Sequence, residues 1–361
     1  MFDFQYTARS VLVMFSILLL VYTLQMNKAS VLFNKFFLIQ WIVITTSILL
    51  HVTVGIGYQR YVKDSAGMLI KGYLSYFQSG NQLAFFYTTS WWVFASSILG
   101  VLKSRFLRII LRILLTFLTF AVLFAMGTKT GVALVLTMCG LFILKKIYDT
   151  SKIFFGIACI GMLTFLVFLF INPEYFLNLI VQVFTTFSSR AKNIAQKVNV
   201  YGAFTALVSQ RNFLVLNALK AISKYDIKDI LVGPDFYSYE KAVGSYIDSH
   251  EIRMAEVDPL DLLGGFGVIG VLTIYIPILW IFAQLLKNWR FAIANSEHLG
   301  NNNLPVSVLG VITLAILNSS MSGHVTVAPA PMMCLGLTLA VGWHLTRHRS
   351  FGYCKQLHIT T

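Results

Sequence analysis

Nine apolar runs constrain this chain more than any other feature. They cover about residues 10–26, 37–56, 83–101, 109–126, 131–144, 153–171, 262–286, 304–321 and 329–346. A helix of about 20 apolar residues crosses the hydrocarbon core of a bilayer, so runs of this length read as membrane spans. Lipid offers the backbone no hydrogen-bond partners, and helix is the form that satisfies an isolated segment internally. The run at 131–144 is short and extends itself with Lys129–Gly131 and Lys145. Composition agrees: the chain is 57% apolar and 12% charged, against about 25% charged in soluble domains. A soluble enzyme, a disordered chain and a secreted disulfide scaffold are excluded. The four cysteines lack metal-ligand spacing: Cys139, Cys159 and Cys334 fall in apolar runs and Cys354 in the tail. No cleavable leader pattern is expected at the first run.

The net charge of +14 would point a soluble protein toward nucleic acid. In a membrane protein its distribution decides. With Arg112, the connections 27–36, 102–108, 145–152, 287–303 and the tail hold 14 basic and two acidic residues. The opposite side, 1–9, 57–82, 127–130, 172–261 and 322–328, holds 14 basic and 12 acidic residues. Nine of those 14 basic residues lie in the long segment 172–261, and long segments cross membranes regardless of charge. Short connections therefore score 14 against 5, which places the first side in the cytoplasm and the long loop outside. An odd number of spans puts residues 1–9 outside as well. The charge excess is a topology signal, and no nucleic-acid partner is expected.

Residues 172–261 hold 10 of the 14 acidic residues, with Pro173, Pro234 and Pro259 as breakers. Phe176–Phe187 has the pattern of a helix lying on the membrane surface. Ala203–Ile222 predicts an amphipathic helix with the stripe Phe204, Leu207, Arg211, Leu214, Val215, Ala218 and Ile222. Arg211 sits within that stripe, so it either pairs with a loop carboxylate or receives an anion. Its guanidinium fork suits a diphosphate. Near the seventh run stand His250, Glu251, Arg253, Glu256, Asp258 and Asp261. Asp258-Pro259-Leu260-Asp261 reads as a helix start, with Asp258 at the N-cap, proline at the first turn and an acid after it. Capping leaves Glu256 and His250 unexplained. Each is either a solvated loop residue or a general base at the membrane–water boundary.

Gly265-Phe-Gly267-Val-Ile-Gly270 matches a dinucleotide-binding spacing, but no strand precedes it and it opens an apolar span. Its glycines instead allow close helix packing or room for a lipid tail. Gly127-Thr-Lys129-Thr-Gly131 is a tight interhelical turn or, through its N–H groups and Lys129, a phosphate contact. Arg60, Lys63 and Lys71 precede a segment in which Tyr73, Tyr76 and Phe77 suit an interface belt or sugar stacking, and Ser79 or Asn81 a helix cap. His324 lies in a short external turn, where a lone histidine serves the structure or faces a cavity.

In this order the pieces resemble the O-antigen ligase and O-antigen polymerase family of bacterial inner-membrane proteins, over roughly residues 70 to 345. The resemblance is carried by GYLSYFQSGNQLA at 72–84, GTKTG at 127–131, SQRNF around Arg211, LVGPDF at 231–236 and EVDPLDLLGGFGVIG at 256–270. Two departures stand out. Lys129 replaces the family's usual Arg, and Glu256 and Asp258 stand where ligases commonly carry a His-Asn pair. The second leans the reading toward a polymerase.

The resemblance implies an all-α polytopic membrane protein, GT-C-like, with about nine transmembrane helices and one large helical periplasmic loop. It divides the chain into an N-terminal bundle (1–171), the loop (172–261), C-terminal helices (262–346) and a cytoplasmic tail (347–361). It implies a metal-independent glycosyltransferase without a cofactor, at the periplasmic face of the inner membrane, acting on undecaprenyl-diphosphate-linked oligosaccharide. Membrane lipid and a chain-length regulator are the further partners. Glu256, then His250, is the expected base. Arg211, with Lys129, Arg60 and Arg253 behind it, would hold the diphosphate, and Asn81 and His324 would contact substrate. The alternatives are a ligase that moves glycan to lipid A core and a transporter of lipid-linked sugar. Ionised residues are scarce at the centres of the spans, which disfavours transport.

Overall fold

A computed structural model of the chain describes residues 12–19, 26–60, 72–75, 80–152, 211–245, 255–297, 303–321 and 328–347. It also describes isolated positions 24, 154, 156, 160, 164, 301, 323, 325 and 326. The fold is helical, as the apolar runs require. After a helical stretch over 12–19 come α1 (Met26–Val54), α2 (Gly80–Val93), α3 (Arg105–Met126) and α4 (Lys129–Thr150). Then follow α5 (Arg211–Ile222), α6 (Ile227–Val232), α7 (Phe236–Ser245) and α8 (Asp258–Lys287). The last are α9 (Trp289–Glu297), α10 (Leu304–Met321) and α11 (Pro329–Arg347). A short antiparallel ladder, β1 (Tyr58–Arg60) with β2 (Gly72–Ser75), lies between α1 and α2 and pairs Arg60 with Gly72.

Among the described residues, three helices are long and apolar enough to cross a membrane: Lys28–Val54, Arg105–Met126 and Asp258–Lys287. Thr130–Ile143, Phe213–Ile222 and Leu304–Ser320 are shorter apolar helices. The expected connection 27–36 is itself helical and forms the start of α1. It has neither glycine nor proline to stop a helix, so the helix continues through its lysines. The start and stop of α3 follow local chemistry. Ser104 caps its first turn through Leu107 N–H at 3.3 Å. Gly127 closes its last turn at φ 64°, a left-handed conformation that costs glycine nothing.

The bundle core joins α1, α2, α3, α10 and α11. Phe33, Phe37, Ile44, Phe85, Val122 and Val311 are fully or almost fully buried there. Some polar groups in this apolar interior pair across helices. Thr45 and Tyr87 share a 2.9 Å hydrogen bond, and Trp91 Nε1 donates to Thr116 Oγ1 at 3.1 Å.

Two sets of helix ends meet. At one end α2 leaves α-helical form through a π turn (Phe94–Ile98) and a 3₁₀ turn (Leu99–Val101). Carbonyls turned outward there are received by α3: Arg112 Nε donates to Ala95 O at 2.8 Å and Arg108 Nη1 to Gly100 O at 3.2 Å. Ser97 donates to Asn34 of α1 and accepts from Asn301 ahead of α10. At the opposite end the start of α2 meets the α3–α4 turn, and the start of α8 meets the turn between α10 and α11. Among the described residues, Asn34, Phe94–Val101 and Asn301 thus meet at one end, and the α3–α4 and α10–α11 turns lie at the other.

Candidate functional site

The best-defined polar site is the start of α8. Val257 occupies the N-cap with extended backbone and no capping side chain, and proline follows in the first turn. Asp258 is therefore not the cap that the Asp-Pro pattern predicts. It is fully buried. One oxygen, Oδ2, accepts from Val325 N–H at 2.8 Å, Thr326 N–H at 2.7 Å and the Thr326 hydroxyl at 3.0 Å. A buried anion requires such donors, and the α10–α11 turn supplies them.

Asp261, one turn on and also buried, performs the local work instead. Its Oδ2 accepts from the N-cap N–H of Val257 at 3.2 Å. Its Oδ1 accepts from Ala255 N–H at 2.8 Å and from the Tyr239 hydroxyl at 3.0 Å. Burial first, then the Asp261 charge, pushes the Tyr239 phenol well above its ordinary value, so it stays a donor. Two carboxylates three residues apart thereby tie together α8, α7, the 255–257 turn and the α10–α11 turn. Both are held by several protein donors, which makes them structural anchors.

Glu256 lies just ahead of these anchors, half-buried, with φ 57°. A non-glycine residue in this left-handed region bears about 1 kcal/mol or more of strain and is held there by its surroundings. Asp261 grips the residues on either side, and Gly323 packs on the Glu256 main chain. A Cβ at position 323 would lie 2.8 Å from Glu256 C and O. Glu256 is thus set beside the turn whose next residue is His324.

A second contact locks the following turns of α8. Gly267 departs from helical geometry (φ 62°, ψ −167°) and kinks the helix. The backbone of the α6–α7 elbow fills the space this opens. A Cβ on Gly267 would lie 2.5 Å from Leu231 C and O, and one on Gly233 would lie 2.3 Å from Gly265 O. Phe236 and Tyr239 take the space that side chains on Gly265 and Gly264 would fill. The glycine spacing is therefore a packing device, and LVGPDF at 231–236 is its counterpart. Tyr225 O–H donates to Gly264 O at 2.9 Å. Burial, then the charges of Asp229 and Asp235, pushes this phenol up to about 12.

The stripe expected on α5 is partly realised. Leu214 and Ala218 are buried, and Ile222 packs with Tyr239, Val243 and Ala255. Arg211 is the first residue of α5, which packs on α7 and α8; its side chain lies outside the described residues. Lys129 is the first residue of α4 and Arg60 lies on β1, both with side chains outside the description. Asn81 is half-buried in the first turn of α2. A Cβ on Gly131 would meet Ala84 Cβ at 3.2 Å, so GTKTG sits against the start of α2, one turn from Asn81. His250, Arg253 and His324 lie outside the described residues, as do the Phe176–Phe187 segment and residues 203–210.

The structure therefore brings Glu256 to the α10–α11 turn, and GTKTG to GNQLA. The roles of Tyr239, Val325 and Thr326 as donors were missed in the sequence. A main-chain N–H has no sequence signature, and Tyr239 lies 22 residues from its partner. Among the described residues no group of three or more His, Cys, Asp or Glu side chains has the arrangement of a metal site. Scanned against models of known protein families the chain matches none, and a search of curated proteins likewise returns no match.

Proposed function

We propose that the chain is a membrane glycosyltransferase that polymerises undecaprenyl-diphosphate-linked oligosaccharide repeats. It works at the periplasmic face of the bacterial inner membrane, on a GT-C-like bundle of about nine spans. One observation carries the reading. The motifs that define the resemblance meet in pairs: 80–84 with 127–131, and 231–236 with 264–267 inside α8, the helix that the strained Glu256 precedes.

In the proposed reaction a hydroxyl of the acceptor sugar attacks the anomeric carbon of the donor glycan. The bond from that carbon to the diphosphate oxygen breaks, and the lipid diphosphate leaves with the bonding pair. Glu256, held at the boundary by its strained turn, takes the hydroxyl proton, with His250 second in line. Arg211 neutralises charge growing on the leaving diphosphate, supported by Lys129, Arg60 and Arg253. Asn81 and His324 contact the substrate.

The test uses a deletion strain complemented with Arg211→Ala or Glu256→Gln at normal membrane levels, with surface glycan resolved on a gel. The proposal expects the long-chain ladder to collapse to single repeats attached to core. A full ladder from both variants refutes the assigned roles. Glycan left on the polyprenyl carrier in the deletion strain would instead mark a ligase.

A further inference from the structure

Helix α6 reverses the usual arrangement of a short amphipathic helix. It contains Ile227, Ile230, Leu231 and Val232, and none of its residues is buried. Ile227 is 79% exposed, Ile230 40%, Leu231 47% and Val232 55%. Even so, α6 is packed closely against α8. The contact is made by main chain, Leu231–Gly233 against the glycines at 265 and 267, which leaves the apolar side chains exposed. Soluble proteins seldom leave such a patch to water.

The position of the contact says what covers it. Gly267 is nine residues into α8, roughly 14 Å along a helix that is long and apolar enough to cross the bilayer. Two residues further on, Ile269, Leu272, Ile276 and Leu279 begin an exposed stripe at helical spacing, the pattern of a lipid-facing side. The exposed apolar groups of α6 thus start at the level where the lipid-facing stripe of α8 starts. Lys228 and Asp229 interrupt the apolar residues of α6, as on a helix lying along a headgroup layer.

We infer that α6 and its elbow are a membrane-embedded wedge, seated in the interfacial layer of the leaflet that α8 enters. Its occupant is lipid: acyl-chain ends near the headgroups cover Ile227, Ile230 and Leu231, to a depth of about 5–10 Å. The kink at Gly267 exists to admit this elbow at that depth. The inference requires that α8 crosses the bilayer and is independent of glycan transfer, so either can fail alone.

The test is depth-resolved quenching with the full chain reconstituted in phosphatidylcholine vesicles. Ile230→Trp and Ile227→Trp each add one emitter to the six native tryptophans, and the parent spectrum is subtracted. Both sites are exposed, so the variants should match the parent on size-exclusion chromatography. The added emission should be largely lost in vesicles brominated near the acyl carbonyl and largely retained in acrylamide. Strong acrylamide quenching without a bromolipid effect places α6 in water and overturns the inference. Resistance to both quenchers means that protein covers the face, and overturns it equally.

Discussion

Removing the Asp258 carboxylate tests whether the start of α8 is an anchor. Asp258→Ala deprives the main-chain N–H groups of Val325 and Thr326 of their acceptor, in a place where Asp258 is fully buried. Each buried donor left unsatisfied costs about 1–3 kcal/mol, so the variant should lose roughly 2–6 kcal/mol. For a chain of 361 residues that corresponds to roughly 3–8 °C in unfolding temperature. Asp258→Asn keeps an acceptor oxygen and gives up the charge, so it should lose roughly 1–3 kcal/mol. Thr326→Val, which removes only the hydroxyl donor, should cost about 1 kcal/mol. The last two changes alter the two ends of one hydrogen bond and should not add: Thr326→Val should cost less in the Asp258→Asn background. The assay is thermal unfolding of detergent-purified protein followed by tryptophan emission, with protease cleavage at the α10–α11 turn as a local readout. An Asp258→Ala protein as stable as the parent, or strict additivity in the double variant, would refute the anchoring account.

Two further predictions follow from the same structure. Gly267→Ala should sharply reduce the yield of folded protein, because its φ of 62° and the nearby Leu231 main chain both oppose a side chain. Gly140→Ala, in α4 with nothing within 4 Å, should raise stability by about 0.5–1 kcal/mol; equal yields from the two variants would contradict the packing argument. Tyr225 has a folded value pushed up to about 12, above the ordinary phenol at about 10. Its contribution is therefore fully present below pH of about 10 and is lost as pH rises toward 12. Unfolding temperature should fall over that window and fall less steeply in Tyr225→Phe; identical slopes would count against it.

Much of the helical architecture was legible in the chain. The runs at 109–126, 262–286, 304–321 and 329–346 each coincide with a described helix, because apolar length is a local property of the chain; the helices over the first two are long and apolar enough to cross a membrane. Helix ends were less legible. Residues 27–36 look like a charged connection and are helix, since two lysines do not stop one. At the candidate site, the strand-free context of Gly265-Phe-Gly267-Val-Ile-Gly270 already excluded a nucleotide loop. What the glycines admit could not be read, because the elbow at 231–233 comes from a separate segment.

Asp258 shows where the boundary falls. Order and kind of residue determined that α8 begins here, with a proline in its first turn and acids around it. Which acid serves the helix and which serves the tertiary fold was decided only in three dimensions. Asp261 reaches back to Val257 and Ala255, while Asp258 faces donors 67 and 68 residues away. Local propensity acts through neighbours along the chain and is written there. A buried charge is settled by the donors that the folded chain brings to it, and main-chain N–H groups are the same in every sequence.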